Sequence, residues 1–165
     1  GSANNGGGTD GVEYTFPADA VVAGTFIYVE YNSDATPHTA FFDYFGFNAD
    51  YNGGSAVNHN GDDAIELFVL TGVDPVVVAV FGDINTDGTG QGWDSLDGWG
   101  KRLTATGPDG STFVIASWIF SGINAVDGCT TNDSCGSVFP LGNFACDPAV
   151  SADESTWGSM KSLYR

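Results

Sequence analysis

The chain has 165 residues, which is enough for about one domain built around a single core. It carries 21 acidic and 4 basic residues, and the first basic residue is Lys101. Nucleic-acid binding is not expected, because phosphate contacts need clustered lysine and arginine. Membrane insertion is not expected either, since no apolar run approaches the ~20 residues of a membrane span. With 42% hydrophobic and 13% aromatic residues, the composition is typical of a globular domain.

Composition divides the chain into three segments. Residues 1–11 are rich in glycine and asparagine and predict a flexible leader. Residues 12–147 form the domain, and residues 148–165 form a C-terminal tail with the pattern of a short helix. The tail either packs on its own domain or uses its cationic end to contact an acidic neighbouring subunit. Its candidate contact residues are Trp157, Met160, Lys161, Tyr164 and Arg165.

Seven short strands are predicted between turns rich in glycine, asparagine and aspartate. They cover residues 12–16, 21–31, 39–47, 64–70, 75–81, 100–106 and 112–120. Short turns join the fourth strand to the fifth and the sixth to the seventh, so each of these pairs predicts a hairpin. The continuously apolar run 76–80 predicts a strand buried on both faces. Seven strands at this spacing predict an all-β fold, an immunoglobulin-like β-sandwich.

The three cysteines indicate an oxidising compartment. Cys129 and Cys135 flank a short loop that a disulfide can close, although the sequence leaves the other pairings open. The third, Cys146, is then either a buried thiol or available to another chain. The same loop contains a glycosylation sequon at Asn132. We therefore expect an extracellular or cell-surface protein.

Residues 83–94 (DINTDGTGQGWD) match the spacing of a calcium-binding loop. In such loops, oxygen ligands at alternate positions converge on one ion while a central glycine, here Gly88, permits the sharp turn. A strand rather than a helix precedes the loop, and its last ligand is aspartate instead of glutamate. The alternative is a connection in which Asp and Asn bond their own backbone. The candidate calcium ligands are Asp83, Asn85, Asp87, Thr89 and Asp94.

No catalytic signature is found, so we do not expect an enzyme. Asp62 and Asp63 supply either a metal or a hydrogen-bonded turn, and neighbours in a strand point to opposite faces, which argues against an acid–base pair. His59 is expected on a surface loop, since no nucleophile motif accompanies it. The aromatic run at residues 41–47 is either the core face of a strand or a platform for sugars or proteins.

Several short motifs, in order along the chain, resemble the bacterial lamin-tail-domain family. They are residues 60–67 (NGDDAIEL), 80–83 (VFGD), 87–90 (DGTG), 97–102 (DGWGKR), 120–128 (FSGINAVDG) and 140–142 (PLG), with Trp93 between them. The resemblance spans most of residues 12–145. It implies a secreted, immunoglobulin-like β-sandwich without catalytic activity, usually one module of a larger protein.

Two functions follow as expectations. The first is a secreted, non-catalytic binding or adhesion module, stabilised by Ca2+, that recognises an extracellular protein or polysaccharide. The second is a self-assembling subunit of an extracellular filament or matrix, whose termini make the subunit contacts. In the second case the acidic body and the basic end of the tail supply complementary surfaces.

Overall fold

A computed structural model describes residues 1–9, 11–33 and 39–145 of the chain. Its strands form three small sheets. The strands are β1 (Ser2–Ala3), β2 (Val29–Glu30), β3 (Tyr51–Asn52), β4 (Ala64–Val69), β5 (Val76–Phe81), β6 (Gly100–Arg102) and β7 (Trp118–Phe120). One α-helix, α1 (Thr39–Phe45), and 3-10 turns at Asn4–Gly6, Gly54–Val57, Ile115–Ser117 and Asn132–Ser134 complete the regular elements of this part of the chain. None of its helices is long and apolar enough to cross a membrane.

The two predicted hairpin pairings are confirmed. β4 pairs antiparallel with β5 from Ile65 opposite Phe81, and a register shift follows Leu67. β6 pairs antiparallel with β7, with Lys101 opposite Ile119. Both pairs are shorter than predicted, and most of the loss is in the second: residues 103–106 and 112–117 lie outside its ladder, and Ile115–Ser117 form a 3-10 turn instead.

The predicted immunoglobulin-like β-sandwich is wrong. The sheets of the described residues have the orders β1-β4-β5, β2-β3 and β6-β7, and they form no closed pair of packed sheets. Frequent turn residues limit most strands to two or three residues, too few to present a continuous apolar face. No large side chain is completely buried among the described residues, so the core expected between two sheets is missing as well.

Residues 39–47, predicted as an aromatic strand, form α1 instead. The rings of Phe41 and Phe45, four residues apart, stack with centroids 4.7 Å apart on one helical face. The helix ends at Gly46, whose φ of 80° suits glycine and whose N–H donates to the carbonyl of Phe42 at 2.7 Å. Local aromatic pairing and a glycine stop therefore outweigh the strand propensity of the aromatic residues.

Two further predicted strands are largely absent. Residues 12–16 have no regular structure, and residues 21–31 contribute only β2. The prediction that residues 76–80 are buried on both faces is also wrong, since Val80 is buried while Val76 is 53% exposed. In the described residues β5 is an edge strand with β4 as its one strand neighbour, and its sheet is not sandwiched between two other layers.

Part of the segment predicted as a flexible leader is paired with the sheet. β1 lies antiparallel to β4, with Ser2 opposite Ile65. Gly1 extends this pairing, because Gly1 and Glu66 exchange two backbone hydrogen bonds of 3.1 and 2.9 Å. Beyond Glu66, no described strand covers this edge of β4.

An aromatic cluster joins the first sheet to the third. The ring of Phe81 lies 5.9 Å from that of Trp93 and 5.0 Å from that of Trp118, and Phe113 contacts the same group. Trp93 is 4% exposed, which makes it the largest of the buried apolar residues. This cluster fixes the position of the loop that follows β5, in which the predicted calcium ligands lie.

Candidate functional site

The acidic loop at residues 83–94 folds around its own hydrogen bonds. Asp83 accepts one from the backbone N–H of Asn85 at 3.0 Å and one from the Thr86 hydroxyl at 2.9 Å. At the other end, Asp94 accepts one from Gly90 N at 2.8 Å and one from Leu96 N at 3.1 Å. These are the Asx-type turns that the sequence offered as the alternative to a calcium loop.

Asp87 occupies the middle of this loop and is exposed. Its carboxylate accepts a hydrogen bond from the backbone N–H of Thr89 at 3.0 Å. The backbone and side-chain hydrogen bonds from Thr89 lower the pKa of Asp87, because they stabilise its ionised form. Asp87 is therefore a carboxylate at neutral pH.

Asp62 joins the loop from a distant part of the chain. Its Oδ2 accepts a hydrogen bond of 2.8 Å from the hydroxyl of Thr89, 27 residues away. Its main-chain carbonyl accepts a second bond, from Gly88 N at 3.1 Å. Its other carboxylate oxygen, Oδ1, is buried and has no hydrogen-bond partner among the described residues. The sequence placed Asp62 in a turn, and no local pattern predicts its contact with Thr89.

Gly88 is required by close packing. A Cβ atom at this position would collide with the Asp62 carbonyl oxygen and with the Trp93 ring. Its φ lies outside the left-handed region, so the sharp turn expected of a calcium-loop glycine is not its role. The site is thus a compact unit in which the turn before β4, the acidic loop and Trp93 share one interface.

The described residues contain no group of three or more His, Cys, Asp or Glu side chains positioned to hold one metal ion. Asp83, Asn85 and Asp87 are exposed, whereas Asp94 is buried and uses both carboxylate oxygens for backbone N–H groups. Calcium binding by the five ligands named from the sequence stays a prediction.

The neighbour of Asp62 has a different role. Asp63 is buried, and its Oδ1 accepts a hydrogen bond of 3.0 Å from Asn5 N, which holds the N-terminal segment against β4. The two adjacent carboxylates therefore bind two different segments of the chain.

His59, on the same turn, lies at the surface. Desolvation by its neighbours nevertheless lowers its pKa, and the opposing effect of the Asp63 charge is smaller.

The β4–β5 hairpin exposes an unusual number of apolar side chains. We call them the hairpin patch: Leu67, Val69, Leu70, Val73 and Val76, which are between 41% and 98% exposed. In the same strand Glu66 is 5% exposed. A buried acid beside exposed leucine and valine reverses the usual distribution in a half-buried strand. Leu67 and Leu70 also line a mainly apolar cavity of about 400 Å³.

The aromatic residues at positions 41–47 pack mainly on one another. Phe47 stacks edge-on against Tyr28 at 4.8 Å, and Phe45 contacts Tyr44 at 4.8 Å and Phe139 at 6.5 Å. Phe42 remains 48% exposed. This arrangement favours the structural interpretation of the run, since most of its rings are already engaged.

Cys129 and Cys135 form a disulfide, the pairing that the short loop between them predicts. The sulfur of Cys135 lies 3.2 Å from the hydroxyl of Tyr44, so the bridge also contacts α1. Within the loop, Asn132 is buried and its amide bonds both backbone groups of Phe139, at 2.8 and 3.1 Å. The sequon asparagine thus closes the loop and does not present its amide to solvent.

The predicted contact residues of the tail, from Trp157 to Arg165, lie outside the described residues, as does Cys146. No family model, no curated protein and no solved structure matches the chain. The resemblance to bacterial lamin-tail domains stays a prediction.

Proposed function

We propose that the chain is a secreted, non-catalytic binding module that contacts an extracellular protein or polysaccharide through the hairpin patch. The observation that carries this proposal is the reversed burial in β4, where Glu66 is buried and Leu67 and Val69 face solvent. Exposing apolar groups costs about 25 cal/mol per Å² relative to burying them. Contiguous apolar patches on soluble proteins mark interaction sites more often than isolated exposed residues do.

Two features support an extracellular location and a non-catalytic role. The Cys129–Cys135 disulfide is typical of oxidising compartments. The buried polar side chains near the loop are engaged in structure: Asp94 holds backbone N–H groups of its own loop, and Asp63 holds the N-terminal segment.

The binding proposal is tested by depletion of the purified chain from solution by insoluble polymers. Cellulose, chitin and collagen fibres present two polysaccharides and one protein surface. The test variant combines Leu67→Thr and Val76→Thr, which keep strand propensity and remove apolar surface. Its matched control combines Ile119→Thr and Ile123→Thr, two other exposed apolar positions. Depletion lost only in the hairpin variant supports the proposal, whereas equal depletion of both variants contradicts it.

Calcium stabilisation is part of the same proposal. Its support is the density of carboxylates in and around the loop and the orphaned Oδ1 of Asp62. An ion that binds only the folded state stabilises it by about 2.7 kcal/mol at 100 times its dissociation constant. Thermal unfolding in calcium and in excess chelator should therefore show a higher midpoint in calcium, and identical midpoints would remove calcium from the proposal.

Self-assembly is the second candidate, and the open edge of β4 favours it. β1 pairs only with Ala64 and Ile65 of β4, so no described strand pairs with this edge beyond Glu66, where a second copy could add a strand. Sedimentation velocity at increasing concentration tests this. Growth in size that disappears in the Leu67→Thr, Val76→Thr variant assigns the contact to the hairpin. If the increase in size is lost instead in the Lys161→Gln, Arg165→Gln variant, the subunit contact lies in the tail. A monomer at every concentration rejects assembly.

A further inference from the structure

Asp62 is a buried acid that lacks an adequate partner. Its side chain is 9% exposed, and Oδ1 has no hydrogen-bond partner in the described part of the chain, while Oδ2 binds the hydroxyl of Thr89. A buried carboxylate costs several kcal/mol unless an opposite charge or a set of hydrogen bonds compensates it. One hydroxyl donor on one oxygen does not provide that compensation.

The chain has few cations to offer. Before residue 146 its lysines and arginines are Lys101 and Arg102. Lys101 donates to Asn143, and Arg102 forms an ion pair of 2.6 Å with Asp109. The lowered pKa of His59, at the nearby turn, leaves its imidazole neutral at neutral pH. Among the described residues, no lysine, arginine or charged histidine therefore pairs with Asp62.

The Thr89 hydroxyl indicates where a compensating positive charge would lie. This hydroxyl bonds Oδ2 of Asp62 at 2.8 Å, and the backbone N–H of Thr89 bonds Oδ1 of Asp87 at 3.0 Å, so two carboxylates lie against this one residue. Thr89 and Asp87 are exposed, so the buried Asp62 carboxylate lies one hydrogen bond away from residues at the surface. Carboxylate and hydroxyl oxygens are the ligands that hard divalent cations prefer.

We propose that this chain binds a divalent cation, Ca2+, at Asp62, with the Asp62 carboxylate, the Asp87 carboxylate and the Thr89 hydroxyl as protein ligands and water completing its shell. The proposal rests on the calcium stabilisation proposed above. It places the ion at Asp62, whereas the calcium-loop pattern makes Asp83 the first ligand. Two carboxylates are fewer than in high-affinity sites, so we expect a dissociation constant of roughly 10⁻⁴–10⁻³ M, the range of extracellular modules.

Terbium luminescence tests the location directly, because Tb3+ replaces Ca2+ and emits when a nearby indole is excited. Trp93 lies against Gly88, whose N–H binds the Asp62 carbonyl, so an ion at Asp62 is close to this ring. Asp62→Asn removes the ligand charge, and Asp83→Asn removes the same charge from the exposed end of the loop. We expect Asp62→Asn to weaken Tb3+ binding by at least about tenfold and Asp83→Asn to change it by less than about threefold.

A second variant and a stability measurement keep the outcome interpretable. Thr89→Val removes the hydroxyl that bonds Asp62, at an exposed position, and should also weaken binding. In excess chelator, Asp62→Asn should unfold at the same or a higher temperature than the wild type, since it removes an uncompensated buried charge. Loss of luminescence only in Asp83→Asn, or equal losses in Asp62→Asn and Asp83→Asn, overturns the site at Asp62.

The two proposals can fail separately. If calcium raises the wild-type unfolding midpoint but Tb3+ does not emit, calcium stabilises the chain at another place and the inference fails alone. If calcium has no effect and Tb3+ does not emit, both fail, and Asp62 Oδ1 is served by water. We also expect Ca2+, but not Na+ at the same concentration, to displace Tb3+ and lower its emission.

Discussion

The hydroxyl of Thr89 lies 2.8 Å from Oδ2 of Asp62 and joins the acidic loop to the turn before β4. Together with the hydrogen bond from Gly88 N to the Asp62 carbonyl, this contact ties a loop of local turns to a distant part of the chain. It brings the turn before one hairpin strand, β4, against a loop that begins two residues after the other strand, β5. The predictions below test the packing and hydrogen bonds that hold this region and the disulfide loop.

Gly88→Ala should lower the free energy of unfolding by about 1–3 kcal/mol, because its Cβ would collide with the Asp62 carbonyl and the Trp93 ring. Gly136→Ala is the matched control, since nothing lies within 4 Å of a Cβ at that position. Urea denaturation followed by tryptophan fluorescence measures both variants. Equal stability of the two would show that Gly88 does not pack as closely as described.

Replacing Cys129 and Cys135 together by serine should cost about 2 kcal/mol, the loop-closure value for a short disulfide loop. The contact between Cys135 and Tyr44 adds a loss of order at α1. Urea denaturation under oxidising conditions gives the free energy, with Cys146→Ser as control. A larger loss in the control than in the double variant would contradict the pairing.

Asn132→Ala should lower the free energy of unfolding by about 1–3 kcal/mol, because both backbone groups of Phe139 lose their partner. Asn143→Ala, at an exposed position, should change the free energy of unfolding by less than about 0.5 kcal/mol.

The burial of Asn132 also predicts its modification: an oligosaccharyltransferase acting on the folded chain should leave Asn132 unmodified, as intact-mass measurement would show. Efficient modification of the folded chain would mean that the asparagine is accessible.

Stability should fall slightly as pH drops through the histidine range. The pKa of His59 is lowered from its ordinary value of 6.5, so below that value the unfolded chain takes up the proton first and stability decreases. Because His59 lies at the surface, the effect is small. Unfolding midpoints at about pH 8 and about pH 5.5 should differ less in His59→Gln than in the wild type. An unchanged difference would assign the pH dependence to the carboxylates.

Local patterns in the sequence predict part of this structure. The hairpins of β4 with β5 and of β6 with β7 follow from apolar runs separated by turn residues, and the Cys129–Cys135 bridge follows from its short loop. The helix α1 was missed although Phe41 and Phe45 are one helical turn apart and Gly46 follows. The high strand propensity of aromatic residues favoured a strand over this helical spacing in the prediction.

Contacts between distant residues were not accessible in the same way. Asp62 meets Thr89 and Asp63 meets Asn5 across separations of 27 and 58 residues, and neither contact leaves a periodic trace in the sequence. The sandwich prediction failed for a related reason. It assumed that short strands would collect in two sheets, whereas tertiary packing here divides them among three small ones.

Few cations offset the negative charge of this chain, and this imbalance determines how two copies approach each other in solution. Lys101 and Arg102 are adjacent, and Asp109 already neutralises Arg102. With a formal net charge of -17, two copies repel each other in dilute buffer, as do a copy and an acidic polymer. At physiological ionic strength the screening length falls to about 8 Å, so close approach becomes possible. Association through the uncharged hairpin patch should therefore strengthen as salt is added, whereas a contact made by the basic end of the tail should weaken.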